Sequence, residues 1–162
     1  MYIIKYLKSI KAEAYVTTCV FAVIFVSIFS IIFTFSAAVS KVDMMRENTK
    51  VVLDSFVTEN AVEIFKSIKQ GNDYTEAINE EDFRTALVKF CALEMREDKL
   101  YSMDEDGTEK YQITNSVITF REENKLELIA SYTISVPLIF AGMSFTTVSV
   151  PIEVTSILTE KF

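Results

Sequence analysis

A stretch near the N-terminus without any charged residue limits what this chain can fold into. It runs from Ala14 to Val39 and consists mostly of Val, Ile and Phe, with scattered Ser and Thr. About 20 apolar residues cross the hydrocarbon core of a bilayer, and as a helix this block would span roughly 39 Å. Its hydroxyls can bond to carbonyl oxygens one turn back, so lipid tolerates them. The block predicts a transmembrane helix over residues 14–39.

A cleaved secretory signal is the main alternative for this block. Signal peptides have a shorter apolar core, of about 7–15 residues, followed by small residues at the cleavage site. Ser36-Ala37-Ala38 imitates such a site. The block is longer than that core, however, and the helical pattern continues beyond it without a break. We therefore favour an uncleaved or membrane-retained helix.

The flanks of the block indicate its orientation. Three lysines precede it within residues 1–13, and three basic residues follow it within residues 41–50. Basic residues alone therefore give a tie under the positive-inside rule. A short N-terminal tail is easier to leave in the cytoplasm than a long domain. We predict a protein of the cytoplasmic membrane with a cytoplasmic leader (1–13), one transmembrane helix (14–39) and an extracytoplasmic domain (40–162).

The composition of the remainder excludes several functions. Residues 41–162 carry 13 basic and 22 acidic side chains, and the chain has no histidine. An acidic domain without a basic patch argues against nucleic-acid binding, which depends on phosphate neutralisation. Cys19 and Cys91 lie far apart and are interpreted as small buried hydrophobic residues rather than a disulfide or zinc site. We predict no metal, no cofactor and no catalytic residues, so the chain is not expected to be an enzyme.

Two helices are predicted after the block. Residues 40–70 contain no Gly or Pro and carry an apolar stripe, so the membrane helix is expected to continue as an amphipathic spine ending at Gly71. A second helix should begin at Thr75 or Asn79. Its predicted apolar face and C-terminal end comprise Phe83, Leu87, Phe90, Cys91, Met95 and Arg96.

The period of the sequence then changes to two. Apolar residues alternate with polar ones from Leu126 to Val136 and from Val148 to Val154, which predicts strands with one buried face. A further strand is expected at Val117–Arg121, with a turn at residues 122–124, and Pro151 favours an edge position for the last strand. The predicted fold is α+β: the long helix packs on a small antiparallel sheet of three or four strands, with the second helix as an outer wall.

Two segments have more than one interpretation. The acidic run from Asp104 to Glu109 can supply oxygen ligands to calcium, but Asp106-Gly107 is a turn signal, and a solvated turn is the favoured interpretation. The apolar run from Leu138 to Met143 is either a loop that contacts a partner or the membrane, or part of the core.

Glu13 marks the start of the apolar block. Either it lies at the interfacial edge, with Tyr15 in the aromatic belt, or its carboxylate pairs with a positive group of a partner. A basic leader, this Glu followed by an aromatic, a long helix and a C-terminal sheet together resemble type IV pilin-like proteins. More narrowly, the Lys11-Ala12-Glu13-Ala14-Tyr15 stretch resembles the TadE-like minor pseudopilins of tight-adherence (Flp) pilus systems of the Gram-positive type.

The resemblance implies a function and an assembly site. It implies a structural subunit that contacts membrane lipid, other pilin-like subunits and the pilus assembly machinery, and that is cut by a prepilin peptidase between Lys8 and Ser9. Glu13 would then neutralise the N-terminal amine of a neighbouring subunit. The family has Gly, sometimes Ala, before the cut, and Lys8 departs from this, so a membrane-retained variant stays open. The alternative function is a membrane-anchored extracytoplasmic binding or sensor module unrelated to pili.

Overall fold

The computed structural model of the protein describes residues 2–72, 78–122, 126–140 and 143–158, with their side chains except those of residues 2–12 and Glu122. The predicted α+β class is confirmed, since a long helix lies over a five-stranded antiparallel sheet with one further helix. In chain order the elements are α1 (Tyr2–Gln70), α2 (Glu80–Cys91), β1 (Glu94–Arg96), β2 (Lys99–Met103), β3 (Glu109–Glu122), β4 (Leu126–Phe140) and β5 (Met143–Ile157).

Helix α1 is one continuous rod of 69 residues. Neither Gly nor Pro occurs within it, so its sequence contains none of the residues that usually kink helices. It ends where predicted, because Gly71 adopts a left-handed conformation with φ 68°. The Gly71 amide donates to the Ile68 carbonyl at 3.1 Å and the Asn72 amide to the Ser67 carbonyl at 2.9 Å, which satisfies the last carbonyls of the helix.

The five strands form a simple meander. Their order in the sheet is the order along the chain, and every neighbouring pair is antiparallel. Strand β5 therefore lies at an edge, as Pro151 predicted. Residues 123–125, which include most of the predicted turn, lie outside the described residues, but Glu122 and Leu126 on either side of them are paired. The sheet has five strands rather than the three or four expected. Strands β1 and β2 were not predicted, because their sequences have no recognisable alternation.

The core lies between one face of the sheet and one face of α1. The alternation predicted for β4 is confirmed for its inward residues, although Ile129 and Ser135 on the opposite face are buried as well. The inward residues, all buried, are Leu128, Ala130, Tyr132, Ile134 and Val136. The helix contributes a buried stripe comprising Met45, Val52, Leu53, Phe56, Val57 and Ile64. Ile68, near the end of the helix, is apolar but exposed, so the stripe does not extend to the last turn.

Helix α2 is shorter than predicted. Asn79 caps its start and accepts a hydrogen bond from the Glu81 amide at 3.0 Å, which confirms one of the two proposed caps; the other, Thr75, lies outside the described residues. The helix stops at Cys91 because Ala92 is left-handed, with φ 50°. Met95 and Arg96, predicted at its C-terminal end, belong instead to β1.

The second helix packs on α1, as the predicted outer wall requires. Its buried side chains are Phe83 and Leu87, and the Phe83 ring meets Phe56 of α1 edge-on, with centroids 5.8 Å apart. Phe90, predicted on the same apolar face, is exposed. The apolar face of α2 is thus narrower than its sequence indicated.

Polar contacts fix the position of α1 along the β4–β5 hairpin. The Lys50 ammonium donates to the Asp54 carboxylate at 2.8 Å and to the Thr155 carbonyl at 2.7 Å. Asp54 also accepts a hydrogen bond from the Ser156 hydroxyl at 2.5 Å. These contacts hold the end of β5 beside the C-terminal half of the helix, and the hairpin extends from there towards the apolar half of α1.

Candidate membrane-contact site

Residues 13–39 of α1, the apolar half of the helix, carry Glu13 as their one charged residue, and their large apolar side chains are exposed. Every Val, Ile and Phe from Val16 to Val39 is exposed. A helix that is hydrophobic all round belongs in a protein core or in a membrane, and this segment is not covered by the domain. The chain therefore has a helix near its N-terminus that is long and apolar enough to span a membrane.

Three of the six Ser and Thr hydroxyl groups between Ala14 and Val39 are satisfied by the helix itself. Thr18, Ser27 and Thr34 each donate to the carbonyl oxygen four residues earlier, at 2.8 Å. Polar groups in hydrocarbon need an internal partner, since no water is present to provide one. The predicted back-bonding is confirmed at these three positions, where it makes the hydroxyl groups compatible with lipid.

Glu13 and Tyr15 lie at the start of the exposed segment. Both are exposed, Tyr15 by 73 %. Among the described side chains Glu13 has no hydrogen bond or ion pair. Two residues apart on a helix, the carboxylate and the phenol project from nearly opposite sides, so they face different neighbours. Lys8 and Ser9 lie in α1, but their side chains are outside the described residues, and the roles of all four residues stay predictions.

The tip of the β4–β5 hairpin is a second exposed apolar surface. It consists of Leu138–Phe140 and Met143–Phe145, with Phe140 paired to Met143. Ile139 and Phe140 are each 40 % exposed, Met143 is 71 % exposed and Phe145 is 85 % exposed. The core interpretation is therefore wrong for Ile139, Phe140 and Met143. Residues 141 and 142 lie outside the described residues.

The hairpin tip stands beside α1 and leaves a groove between them. The groove has a volume of about 780 Å³ and is lined by helix residues that include Ile31, Phe35 and Val39. From the hairpin it is lined by Leu138, Phe140 and Phe145, together with Thr146. Strand β3 pairs with β4 only as far as Ser135, so the hairpin is two-stranded where it borders the groove.

Phe145 was missed at the sequence level, although it is the most exposed aromatic residue of the hairpin. The predicted apolar run ended at Met143. A different signal would have found it, because no charged residue occurs anywhere from Leu128 to Ile152. That charge-free stretch covers most of both strands of the hairpin.

The acidic run from Asp104 to Glu109 forms an exposed turn between β2 and β3, in agreement with the favoured interpretation as a solvated turn. The Asp104 amide donates to the Thr108 carbonyl at 2.8 Å, and Gly107 has φ 80°. Hydrogen bonds from the Glu105 amide and the Lys110 side chain lower the pKa of Asp104, and those from Thr108 lower the pKa of Asp106. Across the described ranges, no three Asp, Glu, Cys or His side chains come together as a metal-binding group.

The two cysteines are separate free thiols. Cys19 is exposed on the apolar half of α1, so it is not the buried residue that was predicted. Cys91 is half-buried at the end of α2, where burial raises the pKa of its thiol to about 11, partly offset by a hydrogen bond with Asn48. A thiol with this pKa stays protonated at neutral pH and is a weak nucleophile.

No protein-family model, curated protein or solved structure matches this chain.

Proposed function

We propose that the protein is a single-pass, membrane-anchored subunit of the pilin-like type, a minor pseudopilin that assists assembly of a tight-adherence pilus or a related secretion apparatus. The observation that carries the proposal is the continuity of α1. One helix presents an exposed apolar half near the N-terminus, and its other half is the spine on which an antiparallel sheet packs. The N-terminus lies in the cytoplasm and the sheet domain outside it.

The exposed half of α1 provides the lateral contacts in this proposal. Helices in lipid associate by van der Waals packing and by satisfying polar groups between them. Glu13 is the one charged residue among the described side chains of this half, and it has no partner among them. Ionisable groups within transmembrane segments are usually paired, so Glu13, which directly precedes the apolar block, is suited to accept a positive group from another subunit.

Processing and partner binding test this proposal together. In membranes of the native host, intact-mass analysis of the extracted protein should show loss of the first eight residues, and pilin-like subunits should copurify. Glu13→Gln should reduce the copurified subunits about tenfold or more, because a hydrogen bond to a charged group contributes about 1.5–3 kcal/mol. The chain should still be found in the membrane fraction.

Glu63→Gln is the matched control, since Glu63 is an exposed carboxylate on the domain half of the same helix. It should leave copurification unchanged. An uncut chain that copurifies with no pilin-like subunit would contradict the proposal and would favour a membrane-anchored binding or sensor module.

A further inference from the structure

The hairpin tip lies beside the apolar half of α1, at the same position along the helix axis. The groove between them is lined on the helix by residues from Ser27 to Val39 and on the hairpin by residues from Leu138 to Thr146. The first charged residue after the apolar block is Lys41. Ile31 lies ten residues before it, or about 15 Å along the helix axis. The hairpin tip therefore reaches past the end of the domain and runs alongside the segment that is suited to cross a membrane.

The length of the apolar block places this groove relative to a bilayer. If about 20 residues beginning at Ala14 fill the hydrocarbon core, the core ends near Phe33, and residues 34–39 lie in the headgroup layer. The helix residues that line the groove lie on both sides of that boundary. The tip is then level with the outermost part of the acyl chains.

The backbone of the hairpin limits how deeply it can enter. Beyond Ser135 the described part of β4 has β5 as its pairing partner and no longer β3, and β5 is itself an edge strand. Open strand edges carry unpaired N–H and C=O groups, which the hydrocarbon region does not tolerate when they face lipid. Apolar side chains at an interface, in contrast, are buried to about 5–10 Å while the backbone stays near the headgroups. The geometry fits shallow insertion.

We infer that the β4–β5 hairpin tip is a second membrane-contact element, whose Phe140, Met143 and Phe145 side chains insert into the leaflet on the domain's side. The groove between the tip and α1 holds the upper part of lipid acyl chains. The inference rests on the proposed membrane anchoring of α1. Its consequence is that the domain is held against the bilayer at two places, the helix and the hairpin, so its sheet cannot rotate freely about the helix.

Lipid fits this surface better than a second copy of the chain does. The hairpin carries no charged residue from Leu128 to Ile152, so the surface offers no ion-pair selectivity for a protein partner. It is also continuous with the exposed apolar surface of α1 at residues 31–33, which acyl chains already cover if α1 spans the bilayer. Lipid acyl chains then cover both the helix surface and the hairpin tip.

Tryptophan fluorescence in the full-length chain tests the inference directly. The protein contains no Trp, so a single substitution reports one position. Phe145→Trp, Ile24→Trp and Val117→Trp are each reconstituted in phosphatidylcholine vesicles with acyl chains brominated near the headgroup or near the bilayer centre. All three native side chains are exposed, so the fold should tolerate the change.

The expected result is a depth profile. The Phe145→Trp variant should lose most of its emission with the shallow bromines and much less with the deep ones, and Ile24→Trp should show the reverse order. Val117→Trp should not be quenched, because Val117 pairs with Ser131, nine residues or about 30 Å along β4 from Phe140.

The other outcomes identify which idea fails. Absence of quenching for Ile24→Trp would overturn the anchoring proposal itself. Quenching for Ile24→Trp but not for Phe145→Trp would overturn the hairpin inference alone. In that second case, a blue-shifted emission of Phe145→Trp that moves to the red as the protein is diluted in lipid would identify a second copy as the occupant of the groove.

Discussion

At the scale of single residues, the contact between α1 and β4 depends on a buried hydroxyl pair. The Tyr132 and Thr49 hydroxyl oxygens lie 2.8 Å apart, and Tyr132 shares its single proton between Thr49 and the Met45 carbonyl, which is 3.3 Å away. Thr49 also donates to the Met45 carbonyl, at 2.8 Å. Burial raises the pKa of Tyr132 to about 12, partly offset by the hydrogen bond with Thr49. The folded protein thus favours the neutral phenol.

The contribution of Tyr132 to stability should therefore depend on pH. The unfolded chain releases this proton near pH 10 and the folded chain near pH 12, so stability falls as the pH rises through that window, by up to about 1.4 kcal/mol per pH unit. We expect Tyr132→Phe to cost about 1 kcal/mol at pH 8 and to cost almost nothing at pH 11. Urea unfolding of the full-length chain in detergent micelles, followed by circular dichroism, measures both values.

The comparison removes the contribution that the other alkaline groups make independently of Tyr132. Cys91 and Tyr111 also have raised pKa values because they are buried, but both are present in the wild type and the variant, so only their charge interaction with Tyr132 differs. Tyr101→Phe is the matched control at pH 8, because Tyr101 is only half-buried and a Phe ring can still lie beneath the Arg96 guanidinium. It should change stability little. An equal cost of Tyr132→Phe at pH 8 and pH 11 would contradict the raised pKa.

At the scale of elements, the domain half of α1 has one structural face and one solvent face. Leu53 is completely buried against the sheet, whereas Val62 is 78 % exposed. We expect Leu53→Ala to lower the free energy of unfolding by about 2–5 kcal/mol, through lost burial and the cavity that remains. Val62→Ala, the matched control, should change it by less than about 0.5 kcal/mol.

The same urea titration in micelles measures both helix variants. Similar costs for the two would show that α1 does not present Leu53 to the sheet, and would contradict the packing of helix on sheet. If Leu53→Ala prevents folding altogether, the smaller change Leu53→Val keeps the comparison measurable.

The elements that sequence predicted well are the long periodic ones. Helix α1, β4 and β5 each carry a repeated apolar pattern, and Gly71 marks a helix end by its conformational freedom. Strand β1 has only three residues, Glu94–Arg96, and all of them are exposed, so no buried face could appear in its pattern. The end of α2 was misplaced because Ala92 takes the left-handed conformation that usually indicates Gly.

The candidate site was predicted only in part, for a related reason. The residues of the apolar half of α1 are consecutive in the chain, so their composition alone indicates a preference for lipid. The groove, in contrast, joins Ile31 and Phe35 to residues more than 100 positions later in the chain. Their proximity depends on the register between β4 and β5 and on the contacts that fix the hairpin along α1. No local sequence pattern could therefore predict that the hairpin tip lies close to Ile31 and Phe35.

At the scale of the whole molecule, the proposal fixes which side of the membrane each part occupies. A cysteine introduced by Asp106→Cys, in a chain that also carries Cys19→Ser and Cys91→Ser, should react with a membrane-impermeant maleimide on intact cells. Asp106 is suited to this because it lies in an exposed turn of the domain. Gel mobility after labelling is the measurement.

The control for orientation is Ser9→Cys in the same background, which should react only after the cells are permeabilised. Reaction of Asp106→Cys only after permeabilisation would place the domain in the cytoplasm and contradict the proposed orientation. The two positions together report on both sides of the membrane.

The continuity of α1 also has a mechanical consequence. Because neither Gly nor Pro interrupts residues 2–70, the helix has no hinge between its apolar half and the domain. A force that rotates the apolar half of α1 about the helix axis, or moves it along that axis, therefore moves the sheet as well. If α1 advances along its own helical path, each residue of advance rotates the sheet by about 100° and translates it by about 1.5 Å. If α1 spans the bilayer as proposed, it therefore couples rotation and axial displacement on one side of the membrane to the domain on the other.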